Sequence, residues 1–232
     1  MSEAVAWVVT RAQVLRTSVG VGVATGAYGL SYGALGTSAG LSVVQTCALS
    51  VLMFSGGSQF ALIGVLGGGG PAASGTASAV LLGARNALYG ARLAPALGLR
   101  GAGRVLGAQL VVDESTAVAL GSEPKGIRAA QLGFWATGLA IFVCWNLSTL
   151  IGAVLGNQIG DPRDYGLDAA APAAFLALLA PRLRGGSAWL TALGGAAVAV
   201  AVIPLVPAGV PVLLAALVPV AAVLIRRSGD SR

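Results

Sequence analysis

Apolar residues run along this chain in long continuous stretches, and polar residues gather into short knots between them. No Asp, Glu, Lys or Arg stands between Arg16 and Arg85. A bilayer crossing takes about 20 mostly apolar residues, so that gap alone has room for roughly three. Transmembrane β-strands would instead alternate over segments of about ten residues. The pattern therefore predicts an all-α, polytopic helical membrane protein, one integral membrane domain over 1–232. About eight transmembrane segments are expected, with seven as the alternative. They fall at about 17–36, 41–66, 72–97, 105–121, 129–156 and 166–180. Two more lie in 187–225, divided where Pro204, Pro207 and Pro211 interrupt any continuous helix. Residues 1–16 read as an amphipathic N-terminal segment, with Trp7 and Arg11 suited to an interface, and 226–232 as a cytoplasmic tail.

One polar knot falls inside a segment. In "LMFSGGSQFALIG" (52–64) the run Ser55-Gly56-Gly57-Ser58-Gln59 interrupts the second stretch. Each glycine lowers helix stability by about 1 kcal/mol relative to alanine. A broken or re-entrant helix near 55–60 is expected, and such breaks free backbone N–H and C=O groups that transporters use to hold polar substrate ends. An ordinary turn is the alternative. Gln59 reads either as a ligand for the polar end of a substrate or as a hydrogen bond to a neighbouring helix.

Glycines at 22, 26, 29, 33, 36 and 40 follow one another at spacings of 4, 3, 4, 3 and 4. That rhythm puts Gly22, Gly26, Gly29, Gly33, Gly36 and Gly40 on one helical face. Lipid supplies no hydrophobic drive between helices, so a glycine face signals close packing.

Composition sharpens the membrane reading. The chain is 56% hydrophobic and only 9% charged, with mean hydropathy +0.85; a soluble domain carries roughly a quarter charged residues. The net charge of +6 does not point to nucleic acid, because the basic residues sit mainly in connectors. An N-terminus in the cytoplasm puts Arg11, Arg16, Lys125, Arg128, Arg182, Arg184, Arg226 and Arg227 inside, as orientation bias requires. Both termini are then cytoplasmic and the "GDPRDYG" connector is outside. Arg100 and Arg104 break the rule under eight spans. A re-entrant early segment removes that misfit, but the later connectors then need a second change of parity. The N-terminal stretch, with Glu3 and no short apolar core before a cleavage site, does not read as a signal peptide.

Ionisable groups inside such segments cost about 2.5–3.5 kcal/mol each and usually face protein or water. "GARNALYGARLAP" places Arg85, Tyr89 and Arg92 on one helical face with Asn86 beside it; "VVDESTAVAL" holds Asp113 and Glu114; "GLDAAAPAAF" holds Asp168. One reading is structural: the arginines pair with acids, and Arg92 snorkels to the interface. The other is a polar cavity in which Arg85 attracts a carboxylate and an acid balances it or carries a proton. Ser58, Gln59, Arg85 and Asn86 are the candidate substrate ligands, and Asp113, Glu114 and Asp168 the candidate ion or proton carriers.

Several chemistries lack their residues. Histidine is absent, and no metal-ligand spacing involves Cys47 or Cys144, so no metal is expected. "GGGGPAASG" (67–75) lacks the lysine of a phosphate loop, and no cofactor or ATP-binding motif is present. A nucleophile at Ser58 or Ser115 would lack its usual base, so no enzyme is expected.

Five blocks in order resemble the AzlC family, the large subunit of branched-chain amino acid exporters. They are "GLSYGALGTSAGLS" (29–42), "MFSGGSQFALIG" (53–64), "GARNALYGARLAPAL" (83–97), "DESTAV" (113–118) and "GLDAAAPAAFLALLAP" (166–181). The family often has His where this chain has Asn86. The resemblance implies gradient-driven export of Leu, Ile, Val or analogues across a bacterial plasma membrane, together with a small AzlD-type membrane subunit. A transporter of another small molecule, or a scaffold subunit of a membrane complex, are the alternatives.

Overall fold

The computed structural model describes residues 3–229 apart from 157, 159–161, 167, 168, 170, 171, 174, 175, 177, 178, 181 and 182. Most of the segment expected at 166–180, and Asp168 with it, lies outside the described residues. Among those described, all regular structure is helical. The helices are α1 (Glu3–Ser38), α2 (Val43–Leu52), α3 (Gly56–Gly67), α4 (Ala72–Leu97), α5 (Ala102–Gln109), α6 (Asp113–Ser122), α7 (Ile127–Gly156), α8 (Gly186–Val202), α9 (Val210–Ala215) and α10 (Leu217–Gly229). Short 3-10 turns occupy Glu123–Lys125 and Pro162–Tyr165. Among the described residues, α7 alone is both long and apolar enough to cross a membrane by length and composition.

The frame is the pair α1 and α7, packed side by side and parallel. Thr137 Oγ1 donates to Ser18 Oγ at 2.8 Å. Further along, Gly22 meets Ala140, Gly26 meets Cys144, and Gly33 meets Thr149, Gly152 and Ala153. The glycine stripe is thus a packing face, and α7 answers it with Gly152 against Leu30 and Gly156 against Ala34. At several of these positions a Cβ would collide with the partner's backbone, so the close approach requires glycine. Two stripe members differ: Gly36 faces Thr46 of α2, and Gly40 sits in the turn after α1 with φ +91°. The N-terminal segment expected as a separate element is continuous with α1, because nothing in 3–38 breaks the helix.

The second stretch, expected at 41–66, does not run straight through. It breaks at 53–55, just ahead of the glycine pair, and turns back. α2 starts beside the end of α1, where the Tyr32 hydroxyl donates to Thr46 O at 3.4 Å. It descends past Thr149, hydrogen-bonded to Ser50, to Phe54 on Phe142. α3 then climbs: Gly56 meets Trp145, Phe60 packs on Tyr32, and Gly67 ends beside Ala39.

A second hairpin interrupts the stretch expected to run unbroken over 105–121. α4 runs antiparallel to α1 and α7, from Gly75 against Leu62 and Val65 to Ala96, whose carbonyl accepts from Gln131. α5 rises from that end until Leu110 meets Gly138. The chain breaks at 110–112, and α6 returns past Gly133 to Lys125, which bonds Gln13 of α1. The tips of the two hairpins meet where Gln109 Nε2 donates to Val51 O at 2.6 Å. Arg100 and Arg104 therefore lie at the same end of the bundle as Arg11, Arg16, Lys125 and Arg128. The expected division of 187–225 is present: 203–209 separates α8 from α9, and Gly209 (φ +92°) docks on α4, where Ser78 donates to its carbonyl.

Candidate functional site

Between the two hairpin tips lies a cavity of about 260 Å³, lined from five helices and the two breaks. Phe54, Ser55, Gly56 and Gly57 come from the first hairpin, and Val112, Asp113 and Glu114 from the second. α4 supplies Arg85 and Asn86; Thr25, Tyr28, Phe60, Ile141 and Trp145 complete the wall.

Both breaks present helix N-termini to this space. α3 has no side chain bonded to its first-turn N–H groups as a cap, whereas at the start of α6 Ser115 Oγ accepts from Val112 N at 3.1 Å and the Glu114 carboxylate accepts its own backbone N–H. The leading N–H groups of a helix have no intrahelical acceptor, and their combined dipole favours an anion there. Arg85 adds a full positive charge. Asp113 and Glu114, in the first turn of α6, supply the opposing sign. Arg85 Nη2 pairs with Asp113 Oδ2 at 2.7 Å, with the arginine side chain a third exposed and the carboxylate 10% exposed. Three buried polar atoms of these lining residues have no partner within the chain: Arg85 Nε, Asn86 Oδ1 and Asp113 Oδ1. Buried polar groups are nearly always satisfied, so these three atoms mark the cavity as a candidate binding site. One donor and two acceptors are thus left open beside the N-terminus of α3 and an aromatic-aliphatic wall.

The sequence candidates divide. Arg85, Asn86, Asp113 and Glu114 converge on the cavity. Ser58 and Gln59 do not line it, although they flank it. Ser58 Oγ donates to Ala79 O at 2.8 Å and lies 3.1 Å from Ser55 Oγ, fastening α3 to α4. Gln59 is fully buried. Its Nε2 donates to Met53 O at 2.8 Å and Ser50 O at 3.3 Å, and its Oε1 accepts from Trp145 Nε1 at 2.9 Å. Every N–H and the carbonyl of that amide are engaged, and two of the bonds satisfy carbonyls freed where α2 ends. Of the two readings of Gln59, the hydrogen bond to a neighbouring helix is the one visible here, through Trp145 of α7. Arg92 faces outward from the site, in a two-pronged pair with Glu123 at 2.9 and 3.2 Å.

Sequence reasoning missed the aromatic wall and the second break. For Trp145 no local signal exists, since a large apolar ring in a mostly apolar helix reads the same whether it lines a cavity or packs in a core. For the break one did: an acid pair opening a helix directly after Leu110-Val111-Val112 is a helix-start signature.

The family model of the AzlC protein matches residues 20–159, more than half the chain and inclusive of every cavity-lining residue. No curated protein and no solved structure matches. The chain belongs to the AzlC family.

Proposed function

We propose that this chain is the large subunit of a secondary exporter of branched-chain amino acids, working with a small AzlD-type membrane subunit. The observation that carries the reading is the cavity, where the uncapped N-terminus of α3 faces the Arg85–Asp113 pair at the start of α6. Broken half-helices with their N-termini at an anionic substrate group are a recurring transporter device. The substrate carboxylate takes the N-terminal N–H groups of α3 and the free edge of Arg85. Its ammonium takes Asn86, Asp113 and Glu114, and its aliphatic side chain lies against Phe54, Ile141 and Trp145.

Membrane topology follows the same logic. α1, α4 and α7 cross the bilayer, and the two hairpins re-enter from opposite faces. Irregular backbone at that depth is tolerated where it is buried or lines a cavity. Two re-entrant hairpins supply both changes of parity that the charge pattern demands. Arg11, Arg16, Arg100, Arg104, Lys125 and Arg128 then share the cytoplasmic side, with both termini there. A substrate carboxylate competing with Asp113 for Arg85 frees an acid to take up a proton, which couples export to a proton gradient through Asp113 or Glu114. Asp168 is a further candidate carrier.

Counterflow in proteoliposomes with a panel of amino acids, with and without the small subunit, tests this reading. Exchange of Leu, Ile and Val above that of Lys and Glu is expected. No exchange of any amino acid by the assembled pair would sink it.

A further inference from the structure

Trp145 is the largest side chain on the cavity wall, and four neighbours fix its ring. Gln59 Oε1 accepts its indole N–H at 2.9 Å. Tyr32 stacks on it at 6.2 Å between centroids, and Phe60 meets it edge-on at 6.1 Å. Gly56 leaves the space into which its six-membered ring fits: a Cβ there would stand 2.9 Å from Cη2. The ring is 4% exposed and cannot swing without breaking a buried hydrogen bond. Three residues of the "SGGSQF" knot thus serve one end: Gly56 admits the indole, Gln59 anchors it and Phe60 backs it.

We infer that Trp145 is the specificity-determining wall of the cavity, with Gln59 and Gly56 as its positioning residues. With the ring in place the site takes an aliphatic side chain of branched-chain size and turns away aromatic ones. This rests on the reading of the cavity as an amino acid site. Trp145→Phe removes one ring and the N–H, opening space next to Gly56. Gln59→Met keeps the volume but releases the indole. Gly56→Ala acts oppositely: Tyr32 and Phe60 block retreat, so the ring moves into the cavity and shrinks it.

The test is counterflow of leucine, phenylalanine and alanine by the full chain with its small subunit in proteoliposomes, each preparation first shown to be monodisperse. Wild type should favour leucine over phenylalanine by roughly tenfold or more, the discrimination a hydrophobic pocket achieves on size. Trp145→Phe should bring the two within about threefold, and Gln59→Met should shift the ratio the same way by less. Gly56→Ala should instead lower leucine relative to alanine, an opposite movement that a general loss of stability does not produce. A leucine-to-phenylalanine ratio unchanged in the Trp145 and Gln59 variants overturns the inference while leaving the amino acid site standing. Should Trp145→Phe not fold, an unchanged leucine-to-alanine ratio in Gly56→Ala overturns it equally. A wild-type complex that moves no amino acid overturns both.

Discussion

The two hairpins have the same outline and are held by different forces. Each is a pair of short helices around a three-residue break, 53–55 and 110–112, and each has serine as the third residue of its second helix, Ser58 and Ser115. In the first hairpin the ties are neutral and reach outward. Ser58 bonds α4, Ser50 and Gln59 bond α7, and Thr46 receives Tyr32 of α1. In the second, Ser115 turns inward, donating to Leu110 O at 2.6 Å and accepting from Val112 N at 3.1 Å. α4 grips α6 through charge, Arg85 on Asp113 at its start and Arg92 on Glu123 just past its end. A neutral hydrogen bond does not respond to a proton or a carboxylate, whereas an ion pair does. On the proposed reading, the first hairpin is a fixed wall and the second is the element whose attachment responds to what occupies the cavity.

The frame on which both hairpins hang offers the largest effect. Gly33→Leu would force α1 away from the backbone of Thr149, Gly152 and Ala153. The penalty should exceed the ~1–3 kcal/mol of ordinary overpacking, because backbone cannot move aside as a side chain can. Folded yield after detergent extraction should collapse. Ala27→Leu, on the exposed face of α1, should leave it near wild type, and equal yields would remove the stripe from the account.

Next comes the ion pair that separates the hairpins. Arg85→Ala leaves Asp113 uncompensated, and breaking such a pair costs on the order of 3 kcal/mol, toward the low end because Arg85 is a third exposed. Arg85→Lys keeps the charge but loses the planar fork, so partial export should survive. Arg85→Ala combined with Asp113→Asn should recover melting temperature without recovering export. Export by the double variant would mean that the pair is structural only.

The smallest expected effect distinguishes the two serines. Ser58→Ala and Ser115→Ala each remove buried hydrogen bonds worth about 1 kcal/mol apiece. Hydrogen exchange should rise across α3 and the facing part of α4 for Ser58→Ala. For Ser115→Ala the rise should stay within 110–116. Identical exchange patterns in the two variants would erase the distinction between an outward-tied and a self-tied hairpin.

Much of this was legible in the residues, and the reasons are local. Helix or strand follows from the period of apolar positions, and the glycine face follows from spacing along one helix. An interruption near residues 55–60 follows from the polar Ser55-Gly56-Gly57-Ser58-Gln59 knot, although the break itself occupies 53–55 and both glycines open α3. Arg85, Asn86, Asp113 and Glu114 stood out because charge and amide are expensive among apolar neighbours. What the sequence could not decide was direction and partnership. A ten-residue apolar helix followed by a twelve-residue one reads the same whether the chain continues or turns back. The turn is decided by contacts such as Gly67 on Ala39, distant along the chain. Gln59 shows this at a single side chain: its residue type announced a polar task, and only the fold brings it to Trp145, eighty-six positions away, whose indole N–H it accepts.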